Sequence, residues 1–207
     1  MKSFAAQLVI LASCLNVFAL SVRSVPQAVA NECSSAQEVS SSVISVNGLD
    51  IVRQVFDCPD GNFTSASVGS SNVRILNSRS LLEERSQSEC TTPNPECQCG
   101  ASVECGCFEE NTAPSSSDCS SLLGSTPIIA SLQGPTFSIP SNQVHALSLR
   151  TCTIAVVNLA STTTEYCWDD LSSSLNSVMS CMNEASFANA VCLALDQRFV
   201  SRLGRSQ

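Results

Sequence analysis

The sharpest chemical pattern in this chain is a set of four cysteines in two tight pairs, Cys97-x-Cys99 and Cys105-x-Cys107. Four thiolates this close together have the chemistry of a tetrahedral zinc site, but their spacing is tighter than in the usual structural zinc pairs. Hydrolysis through a nucleophile needs that nucleophile, a base and a group that orients the base. The chain has one histidine, His145, set in an apolar run, and no G-x-S-x-G elbow. His145 therefore reads as a strand residue, packed or at an edge. Lys2 is the only lysine and lies in a segment read below as removed, so Schiff-base and Ser–Lys chemistry are excluded from the remainder. Asp169-Asp170 and Glu109-Glu110 are the carboxylate pairs available for glycoside hydrolysis. Adjacent side chains project in different directions, and a helix start and a loop account for them. The reading is of no enzyme: no catalytic residue, cofactor or metal is assigned.

Tyr166 and Trp168, the single Tyr and the single Trp, flank Cys167. Amphipathic rings of this kind offer a face on which a sugar stacks, which makes them the candidate glycan-binding residues. The competing reading packs Trp168 on a disulfide of Cys167 at the start of a helix, because disulfide-rich cores recruit their few large rings.

The elements that would position these groups begin with export. Lys2 followed by the apolar run Phe4–Leu20 reads as a signal segment within residues 1–30, with small residues offering cleavage after Ala19 or Ala30. Gln7, Ser13 and Asn16 interrupt that run, which falls short of the roughly 20 residues of a membrane span. Of 13 cysteines, Cys14 leaves with the signal, and an even set remains. An even set in an oxidising compartment reads as disulfides rather than metal ligands. That framework comprises Cys33, Cys58, Cys90, Cys97, Cys99, Cys105, Cys107, Cys119, Cys152, Cys167, Cys181 and Cys192. The net charge of −8 becomes −10 once Lys2 and Arg23 are gone, so nucleic acid and anionic membranes are poor partners. Arg198, Arg202 and Arg205 form the one basic patch, read as a solvated tail.

Residues 31–75 read as a small β-rich block. Val43–Val46, Asn47-Gly48 and Leu49–Phe56 spell a β-hairpin, and Cys33 and Cys58 bracket it closely enough to be paired. Asn62-Phe63-Thr64 is the one N-glycosylation acceptor. Residues 76–89 read as a linker, with a processing site at Arg85 as the alternative to plain exposure. Residues 90–207 form the cysteine-rich domain. Within it, Cys90–Cys119 reads as loop with a short helix after Pro114, and Ile128-Ile129 and Phe137–Ile139 as strands. Val144–Asn158 reads as one long strand, Asp169–Met182 as an amphipathic helix and Val191–Leu203 as a closing strand. The expected class is α+β, a disulfide-rich two-layer α/β sandwich with antiparallel strands.

The series Cys97-x-Cys99-Gly100, Cys105-x-Cys107-Phe108, Asp118-Cys119, Phe137-x-Ile139, Cys152 with Asn158, Tyr166-Cys167, Cys181, and Cys192 with Asp196-Gln197-Arg198-Phe199 covers about half the chain. It resembles the small secreted cysteine-rich proteins of mushrooms of the LacdiNAc-specific glycan-binding type. The resemblance implies a sandwich domain, often a homodimer, that recognises carbohydrate or glycoprotein and catalyses nothing. Asp118-Cys119 followed by a strand carrying Cys152 is also similar to fungal necrosis-inducing effectors related to killer toxins. That likeness implies action on a host or competitor cell. A structural role at the cell surface is the third class. The expected protein is secreted and extracellular.

Overall fold

The computed structural model describes residues 25–61, 63, 76–78, 88–109, 112–180 and 187–206. Residues 1–24, Asn62, Arg85 and Cys181 lie outside that set, and with them most of the signal, the glycosylation acceptor and the alternative processing site.

The hairpin forms as its turn residues dictate. β1 (Gln37–Val46) and β2 (Leu49–Asp57) pair antiparallel with Val46 opposite Leu49. Asn47 and Gly48 take φ of 51° and 78°, the left-handed pair that a two-residue hairpin turn requires. Cys33 and Cys58 are bonded beneath it, as the bracketing suggests. The hairpin is continuous with the rest of the fold, however. β2 pairs with β6 (Gln143–Leu149), which places Val55 opposite His145. β7 (Cys152–Asn158), β10 (Phe199–Arg205), β9 (Phe187–Ala194), β4 (Val103–Glu109) and β3 (Leu76–Ser78) extend one eight-stranded antiparallel sheet in the order β1-β2-β6-β7-β10-β9-β4-β3. β5 (Thr136–Ile139) and β8 (Thr164–Cys167) form a separate two-stranded ribbon.

Among the described residues, three helices cover this sheet. α2 (Ser116–Gln133) and α3 (Trp168–Ser177) pack on one face, where Leu122, Leu123, Ile129, Leu171 and Leu175 meet Ile44, Ile51, Ile154 and Leu203. α1 (Gln27–Ala30) lies on the other face, with Ala28 and Val29 buried against Phe56, Val144, Val157 and Val200. Glu32, just after α1, accepts a hydrogen bond from Arg202 Nε at 2.6 Å. The class is therefore α+β with a mostly antiparallel, disulfide-bonded sheet.

Several element boundaries depart from the sequence reading. Val144–Asn158 is a hairpin, with Arg150 at φ 52° in its turn. Val191–Leu203 is likewise two strands, turned at Gln197 with φ 61°. Neither turn contains glycine, so neither announces itself. Cys90–Cys119 contains β4, and the stretch read as a linker contributes β3. Ile128-Ile129 belongs to α2, which extends far beyond a short helix. α3 stops at Ser177, short of Met182. The arginines are no solvated patch: Arg202 is buried against Glu32, and Arg198 donates to Thr162 Oγ1 at 2.9 Å.

Asp118 and Asn158 have structural work. Asp118 accepts from Thr151 Oγ1 at 2.6 Å and from the Thr151 N–H and Arg150, tying the start of α2 to the β6–β7 turn. Those bonds, the Thr151 hydroxyl first, hold its carboxyl below the usual range. Asn158 donates to the carbonyls of Ile139 and Thr162 and accepts from Ala160 N–H and Thr164 Oγ1, fixing the loop before β8.

Candidate functional site

Two disulfides and one buried carboxylate build a rigid ledge from residues 90–102. Cys90–Cys97 closes a short loop, and Cys99–Cys167 fastens the ledge to β8. Glu165, 2% exposed, accepts hydrogen bonds from the N–H and hydroxyl of both Thr91 and Thr92 and from Thr136 Oγ1 at 2.6 Å. Burial alone would raise its carboxyl, but these donors outweigh burial and hold it down at about 2. Main-chain bonds from Gln98 N–H to Glu165 O at 2.8 Å and from Glu165 N–H to Glu96 O at 2.9 Å continue the join. Asp170 anchors the far end by accepting from Gly100 N–H at 2.6 Å, and Gly100 sits at φ 76°, where a glycine is favoured.

The β9–β10 turn meets this ledge. Leu195 N–H donates to Ser102 O at 2.9 Å. Gln98 Nε2 donates to Asp196 Oδ2 at 2.9 Å and to Pro95 O at 3.0 Å. Asp196 Oδ1 accepts from Arg198 N–H at 3.1 Å, which orients its carboxylate within the turn. Between ledge and turn lies an open cleft of about 290 Å³, lined by Asn94, Pro95, Gln98, Ser102, Leu195 and Asp196, with Cys97 and Cys99 also bordering it. Gln98 is 4% exposed, and its Oε1 has no hydrogen-bond partner among the described residues. Leu195 is 65% exposed, an apolar side chain at the rim. Such a surface suits shallow, reversible recognition of a polar ring with apolar C–H faces. Two of the sequence motifs that run far apart, Cys97-x-Cys99-Gly100 and Asp196-Gln197-Arg198-Phe199, meet here.

Tyr166 and Trp168 are elsewhere and face inward, at 1% and 2% exposure, so neither ring offers a stacking face to solvent. Tyr166 packs on Phe199 with centroids 4.4 Å apart, and Trp168 on Phe137 at 4.1 Å. Burial drives the Tyr166 phenol up, against the hydrogen bond it makes with Ser174. Trp168 and His145 line one pocket of about 10 Å³, near the smallest space that holds a water. Trp168 Nε1 and His145 Nδ1 are both buried there without a hydrogen-bond partner among the described residues. Burial, aided by the Arg53 charge, lowers the His145 imidazole to about 4, so it is neutral at physiological pH and a poor base.

The thiols of the CxC pairs diverge. Cys97 joins Cys90, Cys99 joins Cys167, Cys105 joins Cys192 directly across β4 and β9, and Cys107 is also disulfide-bonded. Cys119 joins Cys152. The close sulfur clusters around Cys90, Cys97 and Cys99, and around Cys99, Cys167 and Asp170, therefore consist of oxidised cysteines. Asp169 is exposed in the first turn of α3 while Asp170 turns inward to Gly100.

No protein-family model, curated protein or solved structure matches this chain. The cleft therefore stands on its own geometry. The sequence signal that points to it is Asp196-Gln197, which reads at first as part of a strand; Gln98, between two cysteines, gives no signal of its own.

Proposed function

We propose that this is a secreted, non-catalytic glycan-binding protein whose ligand sits in the cleft between the 94–102 ledge and the β9–β10 turn. The observation that carries the reading is the Gln98–Asp196 pair, set in an open cleft between the exposed apolar side chains of Pro95 and Leu195. A sugar ring offers hydroxyl groups to such acceptors and C–H faces to such apolar edges. Pre-fixing the ledge with two disulfides and the Glu165 clamp lowers the ordering cost of a shallow contact. The disulfides and the absence, among the described residues, of a helix long and apolar enough to cross a membrane support an exported chain. The two helices packed on one sheet face support the two-layer sandwich, to which α1 adds a small cover on the opposite side. The lack of turnover is supported by the position of His145, whose low, buried imidazole stacks against Phe137 at 6.3 Å.

The test is a broad glycan array on the oxidised protein, followed by titration of any hit with variants. Leu195→Ala and Asp196→Asn are expected to weaken binding by about tenfold each, on the order of one interface contact, with melting temperature unchanged. Silence across the array, or sugar released from a bound glycan, would overturn the reading.

A further inference from the structure

We infer that the cleft selects a hexosamine carrying a free, protonated amine over its N-acetylated and acidic counterparts; the inference rests on the glycan reading of the cleft. The hydrogen-bonding capacity left open there is that of an acceptor. Gln98, the floor residue, has its amide N–H group committed to Pro95 O at 3.0 Å and Asp196 Oδ2 at 2.9 Å. Its Oε1 is itself buried and has no donor among the described residues, so the floor residue leaves the negative end of an amide dipole uncompensated beside the cleft. Asp196 is exposed. Each of its oxygens accepts one of the hydrogen bonds described, Oδ2 from Gln98 and Oδ1 from Arg198 N–H at 3.1 Å, which leaves further acceptor capacity on both.

No cationic side chain balances this among the described residues that line the cleft. Arg198, nearest in sequence, does not line it and directs its guanidinium to Thr162 Oγ1. The whole chain, at −8, adds attraction of the same sign. An ammonium brings a positive charge and three donors to the exposed Asp196 carboxylate, and the Gln98 dipole favours the same sign of charge. An acetamide brings one donor and no charge, and a sugar carboxylate meets Asp196 as a like charge. Pro95, Ala101 and Leu195 supply the apolar surface for the pyranose ring, which an isolated lysine side chain lacks.

The test titrates the full oxidised protein with three short oligosaccharides, a glucosamine oligomer, its N-acetylated equivalent and a galacturonic acid oligomer, and with a short lysine peptide. Working near pH 6 keeps the amine protonated, taking an α-amino group at ~7.7–8.0 as the guide. The free-amine oligomer is expected to bind roughly tenfold more tightly than the N-acetylated one, with added salt weakening only the former. Asp196→Asn is expected to remove that preference, whereas Leu195→Ala weakens both ligands and keeps it. Equal or tighter binding of the N-acetylated oligomer overturns the inference and leaves the glycan site standing. A preference that survives Asp196→Asn assigns the attraction to the chain's general acidity and overturns the site. Equal affinity for a lysine peptide overturns the choice of a sugar, and binding of no saccharide at all overturns the underlying glycan reading.

Discussion

Deleting the indole ring of Trp168 and deleting only its N–H are different experiments in this core. The ring fills the space beside Phe137, Ile154, Val156 and Leu171, whereas Nε1 has no acceptor among the described residues. Trp168→Ala is therefore expected to cost about 3–5 kcal/mol, the range for emptying a buried aromatic site. Trp168→Phe, which keeps a ring and removes an unsatisfied donor, is expected to cost no more than about 2 kcal/mol. Denaturant melts of the two variants check the ranking, and equal losses would show that Nε1 does have a partner. Glycan affinity should track folding in both, because the ring lies outside the cleft. The sequence hides this burial. All four residues of β8 are buried, so Thr164–Cys167 lacks the alternation that marks a half-exposed strand. Lone rings beside Asp169-Asp170 then look like surface groups. Gln98 is hidden for the opposite reason: a polar residue between two cysteines gives no hint that it forms a floor.

At the scale of an element, α2 explains both a failed reading and a local device. Pro127 sits inside it and has no N–H to give to the carbonyl of Leu123, one turn back. That carbonyl accepts instead from Thr126 Oγ1 at 2.9 Å and from Ser172 Oγ of α3 at 3.3 Å. The missing helical bond is thus replaced partly from within the helix and partly from its neighbour. Thr126→Val is expected to cost about 1 kcal/mol in the natural background. The loss should shrink when Pro127→Ala restores a backbone donor, and a double-mutant cycle in urea measures the coupling. Strict additivity would mean that Thr126 does not compensate for the proline. Proline, Gly124 and several serines and threonines disguise this helix, whose buried positions at Cys119, Leu122, Leu123, Thr126 and Ile129 keep spacings of three and four. By contrast the β1–β2 hairpin was plain, because Asn47-Gly48 names its turn chemically. Arg150 and Gln197 take left-handed conformations without such a signature, and two hairpins consequently read as single strands.

Across the whole molecule, the middle of the sheet, at β7 and β10, is buried on both faces, and the second face depends on the chain before Cys33. Ala28 and Val29 are fully buried there, and Glu32 reaches Arg202. Glu32 is raised in pKa by burial, against the pull of Arg202. Of the two cleavage points visible in the sequence, the one after Ala30 removes both apolar side chains. A chain beginning at Asn31 is expected to be less stable than one beginning at Leu20 by about 2–4 kcal/mol, from lost apolar burial. Equal melting curves would show that α1 contributes nothing. The disulfide-rich character and the Cys33–Cys58 link were legible because composition and bracketing suffice for them. The cleft and most of the remaining pairings were not, since they depend on long-range strand order, which also brings residue 98 beside residue 196. This junction is where we propose that ligand binds. The most direct measurement is a two-dimensional amide spectrum of the oxidised protein titrated with the best glycan from the array. The signals of Asn94–Ser102 and Leu195–Asp196 are expected to shift together and saturably, while the single indole signal of Trp168 stays in place. Shifts centred on the indole and the Tyr166 strand, with the 94–102 and 195–196 signals unmoved, would contradict it.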